Sequence, residues 1–267
     1  MQNGRLDSDT GHTAAQGPLK NRLRYTIPNG VTALSLLFGL SSIVTSQLGE
    51  LEFAAWLIVW CGLLDTLDGV VARLLHATSS FGAEFDSMAD LISFGVAPAI
   101  LVVHAGIQLA GIEVASDQFW ILLLAAGVFT LAGAMRLARF NLTSDEPSTG
   151  WFRGVPITAA GGGMLSSLVL VLIYHEEITV SLPLQLYLPV LLFVLGILMI
   201  SRVRFPKAKL RKNHFMNAFQ IVNIALIFYC GITRSYPEYL FGIGIVLMVG
   251  GIIAGRIVKE EPEEATA

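Results

Sequence analysis

Long apolar runs alternate with short polar connections along most of this chain, and the runs have the length that crosses a lipid bilayer. A spanning helix needs about 20 mostly apolar residues, and eight stretches have that character: 29–47, 52–75, 88–110, 118–140, 155–174, 184–200, 215–233 and 237–256. The longest polar connections, around 141–153 and 201–214, are too short to bury a core of their own. The pattern predicts an all-α polytopic membrane protein of about eight transmembrane helices. One membrane domain covers 20–258, between a disordered tail at 1–19 and an acidic tail at 259–267.

Composition agrees with that reading. Of 267 residues 54% are hydrophobic and 14% charged, against about 25% charged in an ordinary soluble domain. Cys61 and Cys230 both fall inside apolar runs, where neither spacing nor company suggests a metal site or a disulfide. Residues 1–19 lack the apolar core of a cleaved signal peptide. No nucleic-acid partner is expected; the partner implied is membrane lipid. Small residues crowd the fourth, fifth and last runs, which suits close helix packing and, for the glycine-rich last run, a homodimer interface.

The net charge of −3 conceals an asymmetry that sets orientation. Lys20, Arg22 and Arg24 precede the first run, Arg73 ends the second, and Arg136, Arg139 and Arg153 flank the loop after the fourth. Arg202, Arg204, Lys207, Lys209, Arg211 and Lys212 follow the sixth, and Arg256 and Lys259 follow the eighth. The alternate loops carry Glu50, Glu113, Asp117, Glu176 and Glu177 with one basic residue, Arg234. Because cytoplasmic loops hold the excess of Lys and Arg, both termini are expected in the cytoplasm of a prokaryotic cell, in its inner membrane. The basic stretch 20–30 reads either as an N-terminal interfacial amphipathic segment on anionic headgroups or as a plain positive anchor.

Within this apolar chain, Asp65, Asp68, Asp86 and Asp90 stand out. Ionisable residues at membrane depth are costly and mark functional sites. Residues three or four apart share a helix face, so Asp65 and Asp68 form one pair and Asp86 and Asp90 a second on the next, antiparallel helix, which the Asp86–Asp90 pair is expected to open. The orientation puts all four at the cytoplasmic mouth. Carboxylate oxygens in such number suit a hard divalent ion, Mg²⁺ or Mn²⁺, and two ions about 4 Å apart make the clamp used for displacement at phosphorus. Gly69 lets a ligand approach closely, and Arg73, four residues on, is placed to hold a phosphate. His76 is an ordinary interfacial residue. Arg136 and Arg139 are three apart, so one face can present both to an anion such as an acceptor carboxylate; positive-inside topology explains them equally well.

Asp65, Asp68, Gly69, Ala72, Arg73, Gly82, Asp86 and Asp90 reproduce without departure the pattern D-x2-D-G-x2-A-R-x8-G-x3-D-x3-D. The chain thereby resembles the CDP-alcohol phosphotransferase family. The segments Ser93 to Ala99, Arg136 to Asn141 and Phe152 to Pro156 are similar to its serine-accepting branch, although Val155 and Thr158 depart from the commoner form. The resemblance implies an enzyme joining CDP-diacylglycerol to L-serine with release of CMP, using Mg²⁺ or Mn²⁺. By the same resemblance Asp65, Asp68 and Asp86 match metal ligands, and Asp90 matches a residue that is both ligand and proton acceptor. Gly69, Arg73 and Ser79 match CDP-lipid contacts, and Asn29 and Thr32 the cytidine side of that pocket. Glycerol 3-phosphate or inositol phosphate as acceptor, and cation transport as a different class, are the alternatives.

Overall fold

The computed structural model describes residues 18–75, 79–143, 151–206 and 214–257. Both expected tails lie outside those residues almost entirely, as do His76 and the Lys207–Lys212 part of the basic loop. In chain order the elements are α1 (Pro18–Gln47), α2 (Leu51–Leu75), α3 (Ser80–Asp90), a π-helical stretch (Leu91–Val96) and α4 (Ala97–Gln108). Next come α5 (Asp117–Thr143), β1 (Trp151–Arg153), a second π-helical stretch (Thr158–Leu165), α6 (Ser166–Tyr174) and the short α7 (Glu176–Ser181). The chain closes with α8 (Leu184–Ile200), β2 (Arg204–Pro206), α9 (His214–Thr233) and α10 (Pro237–Ile257).

Every predicted apolar run is helical. Among the described residues, five helices are long and apolar enough to cross a membrane: Thr26–Gln47, Leu51–Val71, Ser80–Gln108, Asp117–Leu142 and Pro237–Arg256. Three more, Thr158–Tyr174, Leu184–Ile200 and Asn217–Thr233, are apolar but shorter. Large apolar side chains face outward on several of them, including Trp120, Leu124 and Leu131 on α5 and Leu186, Val190 and Phe193 on α8. A surface of that kind is built for lipid rather than water.

Two boundaries differ from the sequence expectation. The basic stretch 20–30 is continuous with the first span rather than a separate segment, with Pro28 inside α1; membrane helices tolerate an internal proline because neighbouring groups re-satisfy the backbone. The third span begins at Ser80, not 88. Ser79, in extended conformation, caps it by accepting from the Gly82 N–H at 3.0 Å, the side-chain oxygen thereby meeting one of the free donors of the first turn. Asp86 and Asp90 therefore lie well inside a helix and do not open it.

The helices are laced by hydroxyl-to-carbonyl bonds at buried positions. Ser35 Oγ donates to the Cys61 carbonyl at 3.4 Å, Ser42 Oγ to that of Ala54 at 2.8 Å, and Ser93 Oγ to that of Ser35 at 3.2 Å. These bonds tie α1 to α2 and to the π-helical stretch after Asp90. That stretch in turn crosses the second π-helical stretch at Gly161, where a Cβ would collide with the carbonyl of Phe94. Only glycine lets the two backbones meet so closely.

The two ends of the bundle are distinct. At one end Tyr174 donates to Glu52 at 2.7 Å, His175 meets Glu238 at 2.7 Å, and Gln185 donates to the Ala110 carbonyl at 3.0 Å. At the other, β1 and β2 form an antiparallel ribbon pairing Phe152 with Phe205. The aspartates sit toward the ribbon end, with Arg136, Arg139 and Arg153.

Candidate active site

Two helices carry the four carboxylates. Asp65 and Asp68 lie toward the C-terminus of α2, and Asp86 and Asp90 project from α3, Asp90 being its last residue. One carboxylate oxygen from each of Asp65, Asp68 and Asp86 lies within 4.8 Å of the other two. Asp90 is within electrostatic range of all three and of Arg136, which comes in from α5. Asp68 and Arg136 are 7% and 8% exposed, so both charges are largely withdrawn from water. Charges so placed need partners, and three converging carboxylate oxygens form a donor set that fits a hard divalent cation.

The residues between the aspartates explain part of the signature. At Gly82 a Cβ would stand 3.1 Å from Ser79 Oγ and 3.2 Å from Asn29 Oδ1. The glycine thus keeps the cap of α3 seated against α1 at Asn29. Ser79, matched by resemblance to the lipid donor, holds this cap, and Asn29 packs beside it. Thr32, from the same stretch of α1, donates to Asp68 Oδ2 at 2.9 Å. Arg73 falls in the last turn of α2, its side chain outside the described residues.

Arg136 and Arg139 part company. Arg136 is buried and within electrostatic range of Asp90. The Arg139 guanidinium donates to the carbonyls of Ile200 at 3.1 Å, Arg153 at 2.9 Å and Met199 at 3.4 Å. It therefore caps the C-terminus of α8 and anchors the end of β1. A further link escaped the sequence reading: Asn141 accepts from Ser87 Oγ at 3.1 Å and donates to Glu84 Oε2 at 3.1 Å, fastening α5 to the helix that bears Asp86 and Asp90. Its only signal in sequence is its place in the Arg136 to Asn141 segment.

The chain belongs to the CDP-alcohol phosphatidyltransferase family, whose sequence profile matches residues 25–200. It is thus a membrane transferase of phospholipid synthesis, and the site just described lies within the matched residues. Among its relatives, a CDP-diacylglycerol--serine O-phosphatidyltransferase of Helicobacter pylori is 36% identical over 208 residues, covering 76% of this chain and 82% of the relative. A protein of the same name from Methanocaldococcus jannaschii is 34% identical over 182 residues, 68% of this chain and 74% of the relative. An archaetidylserine synthase of Methanothermobacter thermautotrophicus is 33% identical over 183 residues, 68% and 70%.

Proposed function

We propose that this protein transfers a phosphatidyl group from CDP-diacylglycerol to the hydroxyl of L-serine, forming phosphatidylserine and CMP. The convergence of Asp65, Asp68 and Asp86 within 4.8 Å beside Asp90 and Arg136 carries the reading. Membership of the family supports the chemistry, and serine in the names of all three relatives supports the acceptor.

Asp65, Asp68, Asp86 and Asp90 would hold Mg²⁺ or Mn²⁺, in two ions. Bound there, such ions supply electrostatic stabilisation of the diphosphate and of the charge developing on departing CMP. Asn29, Gly69, Arg73 and Ser79 form the CDP-lipid side of the pocket, while the Thr32 hydroxyl beside them is bonded to Asp68. The serine hydroxyl is a weak nucleophile until a base removes its proton, and Asp90, one helical turn from Asp86, is that base. Oxygen attacks the phosphorus that carries the lipid, the bond from that phosphorus to the CMP oxygen breaks, and the proton passes to Asp90. No covalent enzyme intermediate is required. Arg136 meets the serine carboxylate from α5, with Arg139 holding the end of that helix in place.

In this reading the three shorter helices complete eight spans. The end bearing Arg136, Arg139, Arg153 and Arg202 faces the cytoplasm, opposite Glu50, Glu113, Asp117, Glu176 and Glu177. CDP-linked headgroup and serine then arrive from water while the acyl chains stay in lipid.

The deciding experiment is an acceptor panel. Purified protein with CDP-diacylglycerol and Mn²⁺ or Mg²⁺ is given labelled serine, glycerol 3-phosphate or inositol phosphate, and CMP and lipid product are measured. Product with serine is expected. Product with glycerol 3-phosphate and none with serine would overturn the acceptor assignment.

A further inference from the structure

Thr32 and Asp68 are 5% and 7% exposed, and they meet through a hydroxyl-to-carboxylate contact of 2.9 Å between α1 and α2. The same hydroxyl lies 3.2 Å from the Pro28 carbonyl one turn back. A threonine inside a helix ordinarily spends its single hydroxyl hydrogen on that i−4 carbonyl. Here the competing acceptor is both nearer and charged, and hydrogen bonds to an ionised acceptor are roughly twice as strong as neutral ones. With Asp68 ionised, the hydrogen therefore goes to it.

The contact also continues a pattern. Ser42 and Ser35 fasten α1 to backbone carbonyls of α2, those of Ala54 and Cys61. Thr32 is the next rung toward the ribbon end, where the partner changes from a backbone carbonyl to a carboxylate of the proposed ion cage. A hydroxyl bound to Oδ2 fixes the rotation of the carboxyl group and leaves Oδ1 and the remaining lone pairs for a cation. Any nucleotide atom wanting the Thr32 hydrogen would have to take it from Asp68.

We infer that Thr32 is a positioning residue for Asp68: its hydroxyl orients the carboxylate within the cage and so sets the affinity for a divalent cation, without itself contacting the cytidine. This rests on the reading of Asp65, Asp68 and Asp86 as metal ligands. Partners that orient a ligand typically contribute 10- to 100-fold to metal affinity.

The test is Mn²⁺ binding to purified protein without CDP-lipid, followed by electron paramagnetic resonance of free Mn²⁺, for wild type, Thr32→Val, Thr32→Ser and Asp68→Asn. Thr32→Val should weaken binding by about 10-fold or more, and Thr32→Ser should restore it to within about threefold of wild type. At saturating Mn²⁺ the affinity of Thr32→Val for CDP-diacylglycerol should equal that of wild type. Thr32→Ala, which removes the hydroxyl without placing a methyl against Asp68, gives the same readout where valine disturbs folding. Wild-type Mn²⁺ affinity in Thr32→Val and Thr32→Ala, with loss of CDP-diacylglycerol affinity, would overturn the inference in favour of a nucleotide contact. Wild-type protein that binds no Mn²⁺ would instead remove the cage on which it rests.

Discussion

The Nε2 atom of His175 stands 2.7 Å from Oε1 of Glu238, while its Nδ1 stands 3.3 Å from Oε1 of Glu177. Carboxylates only accept, so both contacts are hydrogen bonds only when both ring nitrogens carry a proton, as in the imidazolium. Glu238, and then Glu177, raises the His175 pKa above its ordinary 6.5. The raised folded value means that the clamp contributes fully below about 6.5 and is lost as pH rises through the folded value. Melting temperatures of wild type and His175→Gln across pH 5 to 9 should therefore differ most at the acid end and converge at the alkaline end. A difference independent of pH would show that the histidine acts by packing alone.

Asp90 and Asp68 should fail in different ways. Asp90→Asn removes the proposed base and should lower kcat by about 10²-fold or more while largely sparing CDP-diacylglycerol binding. Asp68→Asn should weaken Mn²⁺ and CDP-lipid binding together. Single-turnover kinetics alongside equilibrium binding separate the two, and equal loss of lipid binding in both variants would count against Asp90 as base.

The two arginines of α5 should divide likewise. Arg136→Lys keeps the charge but not the planar fork, and should raise the KM for serine while leaving the melting temperature close to wild type. Arg139→Ala removes donors to the Ile200, Arg153 and Met199 carbonyls and should cost about 1–3 kcal/mol of stability with little change in KM. A raised serine KM in Arg139→Ala at unchanged stability would return Arg139 to direct acceptor binding.

Much of this was readable in the chain because its physics is periodic. Hydropathy marked the apolar helices among the described residues, five of them long enough to cross a membrane, and three- and four-residue spacing put Asp65 with Asp68 and Asp86 with Asp90. The start of α3 was hidden by low hydropathy, since Ser80, Gly82, Ala83 and Glu84 look like a loop even though Ser79 supplies its cap. Arg136 and Arg139 share one helical face in sequence and separate only because carbonyls about 60 residues away, at Met199 and Ile200, return beside one of them. The Thr32 to Asp68 contact spans 36 residues, and no local pattern announces it. What stayed illegible in each case was a tertiary partner supplied by another helix.

The cap at Ser79 also turns the spacing of the signature into a phase setting. Gly82 lies three residues past that cap, and Asp86 and Asp90 follow at intervals of four, so one rotational setting presents the glycine to Asn29 and the carboxylates to α2. Each helical residue advances the face by about 100°. One residue inserted between Ser80 and Asp86 would leave every side chain of the motif in the protein and aim two of its four acids away from the others. The interval from Gly82 to Asp90 is therefore a gear ratio as much as a list of residues.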